Sequence, residues 1–173
     1  MGKRSDFERV KLDYYPTPLK AVEPLLKHIT HKKFCEPCAG AGVLINHLES
    51  YGFECLSAFD VNPLAAKIRT GDASWIVEAD LNDADAIITN PPWDRPVLHQ
   101  IIERCSILRP TWLLFDADWM HTKQAAKHLE ICRKIVSVGR VKWIEDSPGA
   151  GKENCCWYLF DANTPGATDF HGR

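Results

Sequence analysis

The sequence has no apolar run near the roughly 18 residues that a membrane-spanning helix needs. Its first stretch, Met1–Arg9, is polar and lacks the apolar centre of a secretory leader. Seven cysteines is an odd number, which cannot close entirely into internal disulfides. Together these absences predict reduced thiols and a cytoplasmic protein. No internal repeat or low-complexity segment is present. Net charge is only −2, so no bulk excess of one sign points to a partner. The chain, at 173 residues, also lacks the length for a catalytic domain plus a separate target-recognition domain. The expectation is a single domain over 1–173, with 1–13 a loosely ordered arm and 161–173 a frayed tail.

Two phosphate-binding patterns are missing as well. Gly40 and Gly42 start a G-x-G-x-x-G fingerprint, but its third position is Ile45. Gly149-Ala150-Gly151-Lys152 lacks the earlier glycine and the following Ser/Thr of a P-loop, and it precedes a strand rather than a helix. Cys35-x-x-Cys38 with Cys155-Cys156 makes a poor zinc set, because adjacent cysteines are an awkward ligand pair. No metal is expected.

What is present is 45% hydrophobic and 25% charged, ordinary for a globular fold. The charge is unevenly spread. Residues 1–33 hold eight Lys/Arg against four Asp/Glu, 34–94 two against ten, and 95–173 eleven against nine. Within the last part, Lys123, Lys127, Arg133, Lys134, Arg140 and Lys142 face only Glu130 over 123–142. An acidic middle between basic flanks suits a core that takes a cationic small molecule and edges that meet an anion. A merely solvated surface is the alternative.

Apolar spacing predicts strands at Lys33–Glu36, Cys55–Phe59, Ala84–Thr89, Trp112–Asp116, Lys134–Val138 running into Val141–Ile144, and Cys155–Phe160. Helices are predicted after Thr17-Pro18, over Leu44–Tyr51 ending at Gly52, from Asn62-Pro63 to Ile68, after Asp94, and over Thr122–Glu130. Alternating strands and helices give an α/β domain with a mostly parallel sheet covered on both faces. The last two strands have no helix between them and must be antiparallel.

Two sites carry chemistry. Glu36-Pro37-Cys38-Ala39-Gly40-Ala41-Gly42 leaves a strand and opens a helix, where glycines let the backbone turn tightly against a ligand. Asp60 ends the next strand, where doubly wound folds place the acid that takes ribose hydroxyls, and Gly71-Asp72 follows. Carboxylates rather than basic groups rim this spot. That disfavours a pyrophosphate and favours a ligand with an amine and a ribose, as in S-adenosylmethionine, which adds a sulfonium cation.

The second site is Asn90-Pro91-Pro92-Trp93 at the end of a buried strand. Two prolines stop the sheet ladder and stiffen the turn. A rigid turn can aim the Asn90 oxygen and the Pro91 carbonyl at one exocyclic amine, while Trp93 offers a stacking face. An aromatic amine is a poor nucleophile because its lone pair is delocalised. Two acceptors on its hydrogens favour a tetrahedral nitrogen whose lone pair can be aimed. Taken alone, the tetrapeptide also reads as a plain strand-ending turn.

These motifs, in this order, resemble the Rossmann-like class I S-adenosylmethionine-dependent methyltransferases of the amino-group type, and most resemble the small DNA N6-adenine methyltransferases of phages and prophages. The resemblance covers most of residues 14–160. It implies a seven-stranded sheet of order 3-2-1-4-5-7-6 with an antiparallel last strand. It implies that Tyr15, Thr17 and Pro18 pack over the methionine part of the cofactor, that Glu36, Pro37, Cys38, Ala39, Gly40 and Gly42 form its first loop, that Asp60 and Val61 take the ribose and its neighbour, and that Asp72 lies beside its adenine. It implies that Asn90 to Trp93 hold a flipped adenine. The charge distribution, for its part, predicts that Lys123, Lys127, Arg133, Lys134, Arg140 and Lys142, with the basic N-terminus and Lys152 of the turn-rich loop 147–154, meet phosphates. Cys38 replaces a common aromatic of the family, and Trp93 the commoner Tyr or Phe. RNA adenine, guanine N2, a glutamine amide, or cofactor binding without turnover are the other expectations left open. The short length implies low sequence selectivity, a homodimer, or an accessory specificity subunit.

Overall fold

The structure, a computed structural model, describes residues 14–144, 151 and 153–173. The arm 1–13, residues 145–150 and Lys152 lie outside them, and with them most of the predicted loop 147–154. Among the described residues no helix is long and apolar enough to cross a membrane.

Eight strands form one sheet: β1 Lys33–Glu36, β2 Glu54–Asp60, β3 Arg69–Thr70, β4 Ala86–Thr89, β5 Thr111–Asp116, β6 Cys132–Arg140, β7 Asn154–Phe160 and β8 Asp169–His171. Their order is β3-β2-β1-β4-β5-β7-β6-β8. Strands β3, β2, β1, β4 and β5 are mutually parallel. Strand β7 is antiparallel to both β5 and β6. The first seven positions match the order the resemblance implies. The eighth corrects the tail: Asp169–His171 pairs in parallel with β6 instead of fraying. Arg133 explains why, since its Nε and Nη1 donate to the carbonyls of Thr164 (2.5 Å) and Gly166 (2.8 Å), while the Thr168 hydroxyl donates to Cys132 O at 2.8 Å.

The buried runs in β4 and β5 do not alternate polar and apolar because both sheet faces are covered. Ile87, Leu113 and Phe115 point into a cluster with Leu98, Ile101 and Trp119. Ile88, Trp112 and Leu114 point into the opposite cluster with Val22, Leu25, Leu44 and Leu48. Helices α1 (Leu19–Leu26) and α2 (Val43–Ser50) cover that second face, and α3 (Arg95–Leu108) covers the first. Cys155 and Cys156 fall in different clusters, as successive strand residues must.

Several predicted elements differ. Asn62–Ile68 is a series of turns rather than a helix, because Leu64 N–H donates to Gly40 O (2.9 Å) and Asn62 N–H to Asp60, which diverts the bonds a helix would use. Thr122–Glu130 is a 3-10 turn, Lys123–Ala125, followed by the one-turn helix α4, Ala126–Leu129. At the start of α1, Pro18 occupies the cap position and Thr17 is buried without capping. Strand β6 ends at Arg140 after a bulge between Ser137 and Gly139, the glycine adopting φ +83°, so Val141–Ile144 does not continue it.

Candidate active site

The sheet order reverses direction between β1 and β4, and open α/β sheets bind ligands outside the carboxyl ends of the strands at such a point. A cleft of about 580 Å³ lies there. Strand β1 delivers Glu36, β2 delivers Asp60, and β4 delivers Asn90. The segment Tyr14–Thr17 forms another part of the wall. The ionisable side chains of the lining, apart from Tyr14, Tyr15 and Cys38, are four carboxylates: Glu36, Asp60, Asp72 and Asp94. Among the described residues no lysine, arginine or histidine lines the cleft.

Glu36 is the most informative of these. It is 2% exposed, and its Oε2 is buried without a hydrogen-bond partner among the described residues. Burial pushes its carboxyl well above the usual carboxylate range. The nearby Asp60 charge adds to the rise, and a backbone hydrogen bond with Ile45 opposes it. A buried carboxylate oxygen that lacks a donor is costly in isolation and fits a ligand that brings one. Asp60 has a different task. Its Oδ2 accepts from Gly40 N–H and its Oδ1 from Asn62 N–H, both at 2.8 Å, which ties the glycine loop to the end of β2. Each oxygen keeps acceptor capacity for a ligand hydroxyl. Asp72 Oδ1 accepts from Ser74 N–H at 2.8 Å and so caps the turn Ala73–Trp75 at the rim.

Gly40, at φ +51°, makes room for Tyr14. A Cβ there would stand 2.2 Å from the Tyr14 ring. Tyr14 thus lies across the first loop, its phenol raised by burial, lowered by a hydrogen bond with the Ala41 backbone, and raised further by Asp60 and Glu36. Its role is not visible in the sequence, where the neighbouring Tyr15 carries the motif.

In the second motif, Asn90 Nδ2 donates to Tyr15 O at 3.3 Å. That bond fixes the amide and leaves Oδ1 as the atom available to accept from a ligand. Trp93 is placed differently from the reading of an open stacking face. Its indole N–H donates to Leu114 O at 3.3 Å, and its ring meets Trp143 edge-on at 5.9 Å. Trp143 in turn lies 6.4 Å from the Tyr15 ring.

The cleft therefore gathers Tyr15, Thr17, Glu36, Pro37, Cys38, Ala39, Asp60, Val61, Asp72, Asn90 and Pro92. Pro18, Gly40, Gly42, Pro91 and Trp93 are not in its lining, although each adjoins in sequence a residue that is. Sequence reasoning missed Tyr14, Asn62, Ser74 and the 73%-exposed Trp75, which all line it. Ser74 and Trp75 follow directly after Asp72, so their neighbourhood was the available signal.

The predicted basic segment divides. Lys127 pairs with Glu103 at 2.7 Å on the α3 side. Arg133 holds the tail, and Lys134 lies near the start of β6, at the sheet edge away from the cleft. Lys123 is exposed on the 3-10 turn before α4. Arg140 and Lys142 alone of the described members follow β6 to the cleft's edge.

No family model and no curated protein matches the sequence. Solved structures do match in shape. A proposed RNA methyltransferase from Pyrococcus horikoshii is 22% identical, over 92% of each chain, with a TM-score of 0.54. A proposed class I S-adenosylmethionine-dependent methyltransferase from Listeria monocytogenes is 11% identical, over 89% of this chain and 62% of its own, with a TM-score of 0.53. The modification subunit of a proposed type I restriction enzyme from Vibrio vulnificus is 13% identical, over 92% of this chain and 47% of its own, with a TM-score of 0.54. The chain has the Rossmann-like methyltransferase fold. It spans the first of these proteins almost entirely and about half of the third.

Proposed function

We propose that the protein transfers a methyl group from S-adenosylmethionine to the exocyclic amine of a nucleic-acid base, foremost N6 of adenine in DNA. The observation that carries this reading is the fixed Asn90 amide, its nitrogen bound to Tyr15 O, beside a cleft whose acids are all carboxylates with no basic partner in the described lining. Bound S-adenosylmethionine supplies a methyl group on a cationic sulfur. Glu36, with its unpartnered Oε2, takes the ligand's ammonium group. Asp60 takes ribose hydroxyls, Asp72 borders the adenine, and Val61 packs beside it. Asn90 Oδ1 and the Pro91 carbonyl accept the two hydrogens of the target amine, which turns its lone pair toward the methyl. Trp93, braced by Trp143 and Tyr15, walls the position of a base taken out of its stack.

A second reading, the same chemistry on an RNA base, draws support from one neighbour of the same fold. The Pyrococcus horikoshii neighbour named as an RNA methyltransferase is covered over 92% of its chain, whereas the restriction-modification subunit is about twice as long.

Two substitutions separate binding from turnover. Asn90→Ala lowers methyl transfer by at least about 100-fold, the order seen when one transition-state donor or acceptor is removed, while calorimetric affinity for S-adenosylhomocysteine changes little. Asp60→Ala reverses the pattern and weakens that affinity first. Equal loss of both activities in Asn90→Ala gives the turn a purely structural role and contradicts the assignment.

A further inference from the structure

We propose that Arg140, Lys142 and Arg173 form a phosphate-binding patch for a polynucleotide at the β6–β8 end of the cleft edge, with Arg173 delivered there by β8. This rests on the nucleic-acid reading above and adds a residue and an element to it. Strand β6 is antiparallel to β7, which is antiparallel to β5, so β5 and β6 end at the same edge of the sheet. That edge is where Glu36 and Asn90 emerge from β1 and β4. Strand β8 runs parallel to β6 with Val136 opposite His171, so the residues after His171 reach the same edge.

Arg173 is seated by a specific feature of β6. Gly139 sits in the bulge at φ +83°, and the Arg173 guanidinium fills the place where a side chain would be. A Cβ on Gly139 would stand 2.8 Å from Nη1 and 3.1 Å from Cδ. Arg140 and Lys142 follow directly and are exposed. None of the three pairs with a carboxylate among the described residues, whereas Lys127 is neutralised by Glu103 and Arg133 is held by carbonyls. Among the described residues, the acid Glu153 stands next to Arg140's partner Asn154, and Asp116 ends β5 opposite Cys155. Trp143 lies beside the patch and contacts Trp93 of the catalytic turn. Basic groups thus flank the aromatic wall on one side, and four carboxylates fill the cleft on the other. A ligand that carries phosphates and flat bases on one chain matches this layout, while a cationic small molecule matches the cleft.

The test is binding of fluorescent single-stranded and duplex DNA, and of RNA of the same sequence, across a potassium chloride series. Each phosphate no longer neutralised makes the slope of log K against log salt shallower by about 0.9 on duplex and about 0.7 on single strands. Arg173→Gln is expected to flatten the slope by the amount of one phosphate and to weaken binding several-fold at low salt. Arg173→Lys keeps the slope, which separates charge from the packing on Gly139. Arg140→Gln and Lys142→Gln each act like Arg173→Gln, and the Lys123→Gln/Lys127→Gln double variant leaves binding unchanged. S-adenosylhomocysteine affinity is the same in all of them. A wild-type slope in Arg173→Gln overturns the proposal, as does an equal loss in the Lys123/Lys127 variant. Wild-type protein that binds S-adenosylhomocysteine but no polynucleotide overturns the patch and the nucleic-acid substrate together while leaving the cofactor assignment standing. Binding through Arg173 without S-adenosylhomocysteine affinity does the reverse.

Discussion

At the residue scale, Glu36 holds the clearest imbalance. A carboxylate that is buried, unpartnered and close to Asp60 resists ionisation in the ligand-free protein. Its folded pKa lies above its unfolded value, so it detracts from stability as pH rises from about 4 through the folded value. Glu36→Gln is therefore expected to raise the melting temperature of the ligand-free protein at pH 8, by about 2–4 °C per kcal/mol recovered, and to remove cofactor affinity. A cationic ligand favours the charged form, so binding expels a proton. Calorimetry of S-adenosylhomocysteine over a pH series from about 4.5 upward, in buffers of different ionisation enthalpy, should show a window of proton release in the wild type that is missing in Glu36→Gln. Binding with no such window at any pH of the series would disprove the role given to Glu36. Asn90 is legible from the sequence, because Pro91 and Pro92 mark a rigid strand end. The buried state of Glu36 is legible only from its place in a strand. That Trp93 spends its indole N–H on Leu114 is not legible, since nothing in the tetrapeptide shows that β5 lies beneath it.

At the element scale, long apolar runs identify their strands, and short local signals mislead. Strands β4 and β5 declare themselves because burial on both faces demands unbroken apolar residues. Asn62–Ile68 carries a good helix-start signal, yet Asp60 and Gly40 O attract its first backbone N–H groups, a tertiary interaction no local pattern contains. The C-terminal segment is polar and reads as a tail, but Arg133 converts it into β8 by donating to two of its carbonyls. This strand should be pH-sensitive. His171 meets His28 with ring centroids 4.5 Å apart and the planes tilted by 46°, and both Nε2 atoms are buried without partners among the described residues. Burial lowers the His28 pKa, with His171, Lys134 and Lys27 adding to the fall. A depressed histidine leaves the unfolded chain binding more protons, so its stabilisation is complete above about pH 6.5 and declines as pH falls below that. Protection factors of the β8 amides against hydrogen exchange, corrected for the intrinsic pH dependence of the exchange, should fall between about pH 7 and pH 5 more than those of β4, and His28→Phe should flatten the difference. Equal pH dependence in both strands would contradict this role of the His28–His171 contact.

At the scale of the whole molecule, a two-sided sheet hides its thiols. All seven cysteines are free. Burial pushes Cys35, Cys55 and Cys132 up to about 12 and Cys156 to about 11, with Cys38, Cys105 and Cys155 also raised. At pH 8 a thiol of pKa about 12 is about one part in ten thousand thiolate, so native protein should react negligibly with Ellman's reagent in minutes, while the unfolded chain yields seven equivalents. Rapid native reaction at more than the half-buried Cys38 and Cys55 would mean that the sheet opens. The same architecture separates charge, with carboxylates in the cleft and the cations of Arg140, Lys142 and Arg173 at the β6–β8 end. The uneven charge along the sequence foreshadows this division but does not sort its basic members, because linear proximity over 123–142 spans both edges of the sheet. The central claim is methyl transfer to a base amine. Incubation with methyl-labelled S-adenosylmethionine and DNA, RNA or protein, followed by nucleoside and amino-acid mass spectrometry, tests it directly. The predicted result is labelled N6-methyladenine, strongest from DNA and absent with Asn90→Ala. Label on a carbon, on a ring nitrogen, or on no substrate at all would contradict it.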